Sequence, residues 1–543
     1  MPKYVRFLKD TRFLKDIRFL TRLLIGMLLL SGSLVNAAEP VRGGTLIAVI
    51  NPAPSVLSSA INNHFSVNAV SPNVFDGLLS YDKEMNPQPS LALSWETAPD
   101  GLSVRFNLRP NVKWHDGEPF TSQDIRYSAL ELWKKLHPRG RTTFANLVDV
   151  ETPDPLTAIF KLSQPSPILL SALSAAESQV LPAHLYQGSD PLKNPHNIAP
   201  IGTGPFRFVS WRRGEFIELA RNENYWDQGK PYLDKLIFRL IPDDASRAAA
   251  FETGEVKYGP FDPVPLADIA RLKKNPSLKI TSEGYNWLSP FFTFEFNTQD
   301  PILRQVNVRQ ALAYAIDRQG LIDSAWYGIG KVATSPIPHY QKYFTNAVPH
   351  YAYDAKKAEQ LLDAAGYPRG ANGERFSLFF DYEGNNESLQ NTAEFLRQNL
   401  KQVGVTLKLR TQDTPTYYRR IYTDYDFQTR AGQFSAMIDP AMGLYRLYGT
   451  DSIVKGVPNT NGARYSNPTL DAIIKTTQTD TNPANRLKAF HEWQRIAMTD
   501  LPNLPLFELQ RQTVYSSHLH GISDTPDQTF SSLKNVWLDK EGQ

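Results

Sequence analysis

Alternating hydrophobic and polar residues predict a strand followed by a helix early in the chain. Residues 104–108 alternate hydrophobic with charged or polar side chains, which is the period of a half-buried strand. Thr121 has the features of a helix N-cap, with Asp124 three residues later as a weaker relative of the capping box. The hydrophobic residues that follow recur at helical spacing and are expected to face a core. Residues 95–133 are therefore predicted to form a compact unit of strand, tight turn and capped helix.

Helices and strands alternate in the second half of the chain. The apolar run at 291–297 predicts a strand, and Asp354 is expected to cap a helix with Gly366 at its end. Another helix is predicted over 388–403, and residues 405–409 alternate like a strand after it. This order of elements predicts an α/β layer with an at least partly parallel sheet.

Further elements are predicted on either side of these segments. Asn467 is expected to cap a helix that starts with Pro468. Strands are predicted at 43–50, 206–211, 216–220 and 236–241, a hairpin at 148–162, and helices at 246–255 and 484–498.

Three short runs of residues carry a family resemblance. They are VKWHDGEPFTSQDIRYS at 112–128, IGTGPFRF at 201–208 and NENYWDQGKPY at 222–232. Taken singly, Trp114 and His115 fit a purely structural role. Taken together, the runs resemble the extracellular solute-binding proteins of family 5, the peptide/opine/nickel class that serves ABC importers. The similarity extends more loosely from about residue 43 to about residue 538.

The resemblance implies an α/β fold with the two lobes of the periplasmic-binding-protein (Venus-flytrap) architecture. Lobe I is expected to be discontinuous, with segments at 39–75, 201–280 and 511–543. An extra domain is expected to be inserted at 76–200, and lobe II is expected at 281–510. The two connections near residues 280 and 510 are expected to act as the hinge.

The first 38 residues have the three-part layout of a secretory signal peptide. A basic segment precedes an apolar run at 23–35, and small residues mark a cleavage site after Ala37 or Ala38. The leader is long and repeats RFLKD, so an amphipathic membrane anchor is the alternative interpretation. The apolar run is shorter than the roughly 20 residues that span a bilayer. Without a cysteine to carry a lipid, the protein is expected to be free in a Gram-negative periplasm.

Composition and charge exclude several classes of function. The chain has no cysteine, which excludes disulfides, zinc–thiolate sites and thiol catalysis. Residues 1–38 carry seven basic and two acidic side chains, so the formal net charge of +3 becomes −2 after cleavage. The basicity therefore belongs to the leader, and no nucleic-acid partner is expected. The mature protein is expected to be a soluble monomer.

No enzyme motif survives inspection, and no cofactor is expected. The chain lacks a Gly-x-Ser-x-Gly elbow and a Walker loop. The glycines of 201–208 are followed by Pro205 and no helix, so they are interpreted as a bend and not as a phosphate loop. His518 and His520 suit one strand face, but a third metal ligand cannot be named. Paired carboxylates of a glycosidase stay open from sequence alone.

The resemblance implies a ligand-binding segment at 426–444. Arg430 aligns with a position that meets the peptide carboxylate in some members, where a guanidinium suits two oxygens. A surface or hinge salt bridge is the alternative for Arg430. Gln433 and Phe434 stand where members often carry an aromatic wall, so Gln433 is expected to offer a hydrogen-bonding edge instead.

The same alignment singles out an alanine. Many peptide-binding members have an aspartate that pairs with the peptide's α-ammonium group, and Ala436 stands at that position. Either Asp439 takes over, or the ligand presents no ammonium there. An Asp-Pro turn is the structural alternative for Asp439. Replacing Ala436 with aspartate is predicted to improve affinity for peptides with a free amine.

Two further segments are expected near the ligand. Tyr285, Asn286 and Trp287 lie at the lobe junction, where family members touch the ligand backbone, and core packing is the alternative for Trp287. Asn461 and Arg464 lie in a polar loop that faces the same side in relatives, with a solvated loop as the alternative.

The predicted function is capture of a small solute by hinge closure and its delivery to an inner-membrane ABC permease. Short peptides are the expected solute, and an opine-like conjugate, a blocked peptide, a glycoside or a metal chelate are the competitors. A secreted hydrolase and a chaperone-like or receptor-coupled sensor are the alternatives from other classes.

Overall fold

The computed structural model describes residues 39–384, 387–522 and 525–543. The predicted signal peptide at 1–38 lies outside this part of the chain. No helix of the described part is long and apolar enough to cross a membrane.

The described chain contains short strands that combine into several sheets. In chain order they are β1 (Thr45–Ile50), β2 (Leu79–Tyr81), β3 (Pro87–Pro89), β4 (Ala92–Thr97), β5 (Ser103–Leu108), β6 (Leu147–Asp154), β7 (Thr157–Leu162), β8 (Phe206–Arg212), β9 (Phe216–Arg221), β10 (Lys235–Leu240), β11 (Tyr258–Gly259), β12 (Leu278–Thr281), β13 (Pro290–Phe296), β14 (Lys331–Val332), β15 (Phe376–Glu383), β16 (Val405–Gln412), β17 (Thr429–Ser435), β18 (Asn503–Glu508), β19 (Thr513–Ser516), β20 (Leu519–His520) and β21 (Trp537–Leu538).

The longer helices lie mainly between these strands. They are α1 (Ser122–Tyr127), α2 (Asp244–Glu252), α3 (Leu266–Leu272), α4 (Val306–Ala315), α5 (Arg318–Ala325), α6 (Ala355–Ala364), α7 (Glu387–Gln402), α8 (Thr414–Arg419), α9 (Pro468–Thr479) and α10 (Pro483–Asp500). Single helical turns lie at Phe65–Asn68, Gly140–Thr143, Ala183–Tyr186, Pro440–Gly443 and Tyr445–Tyr448.

Lobe I is built around a seven-stranded sheet in the order β12-β19-β11-β1-β10-β9-β8. The first strand of the described chain lies inside this sheet and pairs in parallel with β10 along its whole length, from Thr45 opposite Lys235 to Ile50 opposite Leu240. The sheet takes its strands from residues 45–50, 206–281 and 513–516, so lobe I is discontinuous in sequence.

Lobe II is built around a six-stranded sheet in the order β14-β18-β13-β17-β15-β16. Its central strand β13 is buried along its whole length, in agreement with the apolar run at 291–297. β15 is parallel to both β16 and β17, which confirms the partly parallel sheet. Asp354 caps α6 by accepting from the N–H of Lys357 at 2.9 Å. The two-lobed α/β fold is thus confirmed.

The inserted domain contains a four-stranded antiparallel sheet in the order β4-β5-β7-β6. The N–H of Thr121 donates to Asp124 Oδ2 at 2.8 Å, so the capping box at the start of α1 is confirmed. The α-helix ends earlier than its apolar pattern suggests, because the chain widens into a π-helical turn over Ser128–Trp133. Within that turn the indole N–H of Trp133 donates to Gln179 O at 2.7 Å.

His115 ties the inserted domain to lobe I. Its Nδ1 accepts from the N–H of Gly202 at 3.2 Å, and its Nε2 lies 3.0 Å from Gly204 O. A Cβ on either glycine would overlap the backbone of Val74. Both glycines are thus required for close backbone packing, and the chain bends at 203–205 as predicted, without the positive φ of a left-handed turn at either glycine.

The chain passes between the two large sheets at residues 282–289 and 509–512. These connections lie where the hinge is predicted, near residues 280 and 510. The hinge itself and the exact domain boundaries stay predictions.

Candidate ligand-binding cleft

A cleft of about 820 Å³ lies between lobe I and lobe II. Two smaller cavities, of about 620 Å³ and about 490 Å³, border the inserted domain. Of these three, only the large cleft takes its lining from both lobes, which is the arrangement that ligand-driven hinge closure requires. Its charged lining residues are Asp244, Arg247, Asp262, Glu383, Glu387, Arg430 and Arg511, and burial lowers the pKa of His64, which also lines it.

A row of charged and polar residues crosses the sheet of lobe II, and Arg430 is the member of the row that lines the cleft. Strand register places Arg410 beside Asp381, Asp381 beside Arg430, Arg430 beside Glu295, and Glu295 beside Asn503. Neighbours in this row alternate in charge, and two of the contacts are ion pairs of 2.7 Å, Arg410–Asp381 and Arg430–Glu295. The row therefore neutralises its own charges within the sheet.

Arg430 is almost completely used by protein partners. Its Nε and Nη2 donate to the two oxygens of Glu295 at 3.0 and 2.7 Å, and its Nη1 and Nη2 also donate to the hydroxyls of Tyr417 and Tyr422. Burial by itself lowers the pKa of the Arg430 guanidinium, but Glu295 and the two tyrosines outweigh it and raise that pKa well above its usual range. Arg430 is thus a permanently charged member of a closed ion pair.

Arg511 connects the two lobes within the cleft. Its Nη1 donates to Asp262 Oδ2 of lobe I at 2.7 Å, and its Nη2 donates to Gln433 Oε1 of lobe II at 2.6 Å. The side chain of Arg511 is 25% exposed, against 2% for Arg430. Arg511 is therefore a cleft guanidinium that a ligand can reach.

The carboxylates of Glu383 and Glu387 give the cleft an excess of negative charge. Asp244 and Asp262 each pair with an arginine. Glu383 and Glu387 have no cationic side chain within 4.0 Å among the described residues. Glu387 accepts a long hydrogen bond from the hydroxyl of Tyr327 at 3.4 Å. Glu383 accepts one neutral hydrogen bond, from Thr414 Oγ1 at 2.8 Å. This side of the cleft is therefore suited to a positively charged group.

Aromatic side chains supply the apolar part of the lining. Trp326, Tyr327, Tyr382 and Tyr418 face the cleft from lobe II, and Phe261 faces it from lobe I. Aromatic rings join large contact areas to few rotatable bonds, and their faces attract cations. The cleft therefore combines charged groups with broad aromatic walls.

The predicted residues Arg430, Gln433 and Phe434 lie at or next to the cleft. Arg430 and Gln433 line it directly. Phe434 is absent from the lining and packs with its ring centroid 5.4 Å from the guanidinium carbon of Arg430. Their roles in ligand binding stay predictions. Arg430 does form a salt bridge, but it is buried between β13 and β17 and lies neither at the surface nor at the hinge.

Ala436 and Asp439 lie inside lobe II and do not line the cleft. Ala436 is 0% exposed, and its N–H donates to Ser289 O at 3.0 Å. Asp439 accepts from Arg486 Nη2 at 2.8 Å and from the N–H of Ala441 at 3.1 Å. Both carboxylate oxygens of Asp439 thus accept hydrogen bonds from protein groups, and neither lines the cleft. The geometry therefore favours the structural alternative for Asp439.

Tyr285, Asn286 and Trp287 lie on one connection between the lobes. The hydroxyl of Tyr285 accepts from the N–H of Phe261 at 2.8 Å. Trp287 is 0% exposed and packs on Phe530 with ring centroids 5.1 Å apart, while Asn286 is half-buried. Trp287 thus takes the core position named as its alternative, and contact of this segment with ligand stays a prediction.

Asn461 and Arg464 join their loop to neighbouring segments of lobe II. Asn461 is 1% exposed and donates to Gly449 O and Tyr465 O at 3.1 and 2.8 Å. Arg464 Nη2 donates to Asn297 Oδ1 at 3.2 Å. Neither residue lines the cleft, so the structure does not bring them together with Arg430 and Gln433.

Sequence reasoning missed Asp262, Glu383 and Arg511. Glu383 ends a parallel strand, and the carboxyl ends of such strands are where open α/β sheets bind ligands. Arg511 lies in the predicted hinge connection near residue 510, and a charged side chain at that place could have indicated a residue of the cleft. Asp262 lies in a loop whose sequence carries no pattern that points to the cleft.

No group of three or more metal-ligating side chains occurs in the described part of the chain. His518 and His520 both contact Asp539, at 3.1 Å each. This carboxylate holds the two imidazoles near the C-terminal hairpin, away from the cleft lining.

The chain is similar to proteins of one family over nearly its whole length. A family model described as bacterial extracellular solute-binding proteins, family 5 Middle, matches residues 86–454. An ABC transporter peptide-binding protein of Brucella ovis is 30% identical over 520 residues, which cover 92% of this chain and 94% of that protein. Heme-binding protein A of Haemophilus influenzae is 29% identical over 520 residues, covering 90% and 91%.

The fold is similar to that of a solved structure from the same class of proteins. The ABC transporter substrate-binding protein CtaP of Listeria monocytogenes superposes with a TM-score of 0.81 at 26% identity, covering 92% of this chain and 100% of that chain.

Proposed function

Because this chain belongs to the bacterial extracellular solute-binding proteins of family 5, we propose that it captures short peptides in the periplasm and delivers them to an ABC importer. The observation that carries the proposal is the cleft of about 820 Å³ between the two lobes. Ligand pockets in proteins typically have volumes of roughly 300–1,000 Å³. Similarity to a peptide-binding protein over 92% of the chain supports peptides as the solute class.

The chemistry of the cleft suits a peptide with free termini. Glu383 and Glu387 offer negative charge to an α-ammonium group, and burying an ammonium group requires such a partner. The tyrosines and tryptophan of lobe II offer broad surfaces to side chains of different size. We therefore assign ammonium recognition to Glu383 and Glu387, and not to Asp439, whose carboxylate is occupied by Arg486.

Hinge closure would couple binding to delivery. A ligand that touches both walls of the cleft stabilises the closed arrangement relative to the open one by its differential contacts. The connections at 282–289 and 509–512 are the segments that would absorb the change in backbone angles. An inner-membrane permease would then distinguish the closed, loaded protein from the open one.

Export and assembly complete the proposal. Residues 1–38 would direct secretion as a signal peptide and be removed, leaving a monomer in the periplasm. We propose no catalytic role, since the known relatives bind and transport solutes.

A non-peptide solute is the second candidate. It is favoured by the similarity to heme-binding protein A, at 29% identity over 90% of this chain. The same transport role would apply, with a different chemical class in the cleft.

Mass spectrometry of the small molecules released on denaturation tests the proposal. The full chain would be expressed with its leader, and the exported protein would be purified from periplasm without refolding and denatured in acid. A ladder of short peptides is the expected result. A single non-peptide species would support the second candidate, and turnover of a peptide during incubation would contradict a pure binding role.

A further inference from the structure

Arg430 lines the cleft from lobe II, and Arg511 lines it from the connection at 509–512. The two side chains differ in how many of their N–H donors are already bound to protein groups. A guanidinium has five N–H donors. Arg430 directs four hydrogen bonds to Glu295, Tyr417 and Tyr422. Arg511 directs two hydrogen bonds, to Asp262 and Gln433, within the described part of the chain. Arg511 therefore keeps three donors on a side chain that is 25% exposed, whereas Arg430 keeps one on a side chain that is 2% exposed.

The two partners of Arg511 differ in strength. Asp262 is a carboxylate, and its Oδ1 also accepts from the N–H of Gln512 at 2.7 Å. The N–H of Asp262 in turn donates to Gln512 O at 2.9 Å. This reciprocal pair holds Asp262 in place, so the salt bridge at 2.7 Å fixes one edge of the guanidinium. Gln433 is a neutral amide, and its hydrogen bond with Arg511 is the exchangeable one.

We propose that Arg511 is the cleft residue that receives an anionic group of the ligand, a carboxylate, in exchange for Gln433 Oε1. The inference rests on the proposed function and specifies one end of the solute. A carboxylate replaces a neutral amide oxygen with a charged acceptor, and charge-assisted hydrogen bonds are about twice as strong as neutral ones. Asp262 keeps the guanidinium in position during the exchange.

The exchange also links ligand binding to both lobes. Asp262 belongs to lobe I, while Gln433 lies on β17 of lobe II. A carboxylate on Arg511 frees the amide of Gln433, whose N–H groups then face the ligand from lobe II. The solute class that follows is a short peptide or related solute with a free carboxylate on the connection side of the cleft and an ammonium group toward Glu383 and Glu387.

The test uses two equimolar tetrapeptide libraries of the same sequences, one with free C-terminal carboxylates and one amidated. Wild-type protein is incubated with both together, freed of unbound peptide, and the retained peptides are quantified by mass spectrometry. The wild type is expected to retain free-acid peptides at least tenfold over amides. Arg511→Gln is expected to lose this preference, and Arg511→Lys to keep part of it, since lysine has charge without the fork.

A second variant does not remove the guanidinium. Gln433→Glu places a carboxylate on Arg511, so it is expected to lower retention of free-acid peptides while retention of amides stays unchanged. Arg212→Gln is the matched control, because Arg212 is 66% exposed and pairs with Glu215 outside the cleft lining. Thermal unfolding of each variant shows whether it is folded.

The outcomes separate the two levels of inference. An unchanged free-acid preference in folded Arg511→Gln and Gln433→Glu overturns the role of Arg511 and leaves the proposed function intact. Equal retention of free-acid and amidated peptides by the wild type also overturns the role of Arg511 and leaves the proposed function intact. Retention of neither library by the wild type contradicts the proposed peptide function, and with it the inference that rests on it.

Discussion

Arg430 Nη2 lies 2.7 Å from Glu295 Oε2 where neither side chain is more than 2% exposed. The two residues face each other on neighbouring strands, β17 and β13, and Gly462 packs so closely that a Cβ there would lie 3.2 Å from Glu295 Oε1. Water therefore has little access to either charge. Each residue depends on the other to remain charged in the interior.

Arg430→Ala is expected to destabilise the fold. It would leave Glu295 buried and unpaired, and breaking a buried pair in this way typically costs about 3–5 kcal/mol. Urea unfolding followed by circular dichroism measures the loss. The double variant Arg430→Met with Glu295→Leu, which leaves no buried charge, is the control and should lose less. A single variant within about 1 kcal/mol of wild type would show that the pair is not a structural one.

Ala436→Asp is expected to lower stability and not to improve affinity for free-amine peptides. The family resemblance predicts a gain, but Ala436 is 0% exposed and packed in the core, so the new carboxylate would be buried without a partner. Thermal unfolding and calorimetric titration of the same sample distinguish the two results. Ala371→Asp, at an exposed turn, is the control. Tighter peptide binding by a stable Ala436→Asp protein would reinstate the alignment-based prediction.

Glu383→Gln and Glu387→Gln are expected to weaken binding of peptides with a free α-amine. Each substitution removes one negative charge from a side of the cleft where no described cation pairs with it. The double variant should lose at least about tenfold in affinity, or ~1.4 kcal/mol, for a free-amine peptide. Calorimetry against the same peptide in N-acetylated form gives the comparison, since that form should bind all variants alike. Glu84→Gln, exposed on the inserted domain, should behave as wild type.

His115 is expected to make stability fall on acidification. Burial lowers the pKa of His115 to about 4, and its Nδ1 accepts from Gly202, which a protonated ring cannot do. The folded protein therefore binds fewer protons than the unfolded chain between about pH 6.5 and 4. The neutral His115 ring contributes up to about 3 kcal/mol to the free energy of unfolding. This contribution is fully present above pH 6.5 and is lost as the pH falls through 4.

Urea unfolding at several pH values checks this dependence. His115→Gln keeps a donor and an acceptor at the same place and should flatten the profile between about pH 6.5 and 4. His350→Gln, at an exposed histidine, is the control and should leave the profile unchanged. Identical slopes for His115→Gln and wild type would assign the acid sensitivity to other groups.

Local patterns of residues determined most of the elements and the family of this protein. The period of residues 104–108, the caps Thr121 and Asp354, and the apolar strand at 291–297 depend on neighbours a few positions away, and all are present in the structure. The π-helical turn after Tyr127 escaped prediction, because its side-chain periodicity is that of an ordinary helix over so short a run.

Only the tertiary structure decided which charges are free to meet a ligand. Arg430 and Arg511 look alike in sequence, but strand register brings Glu295 to Arg430 across 135 positions, while Asp262 reaches Arg511 across 249. In the same way Asp439 is occupied by Arg486, while Glu383 has no cationic partner within the described part of the chain. Charge pairing depends on long-range register, and no local pattern of residues encodes it. The physical reason is that a buried charge must find its partner wherever the fold places one.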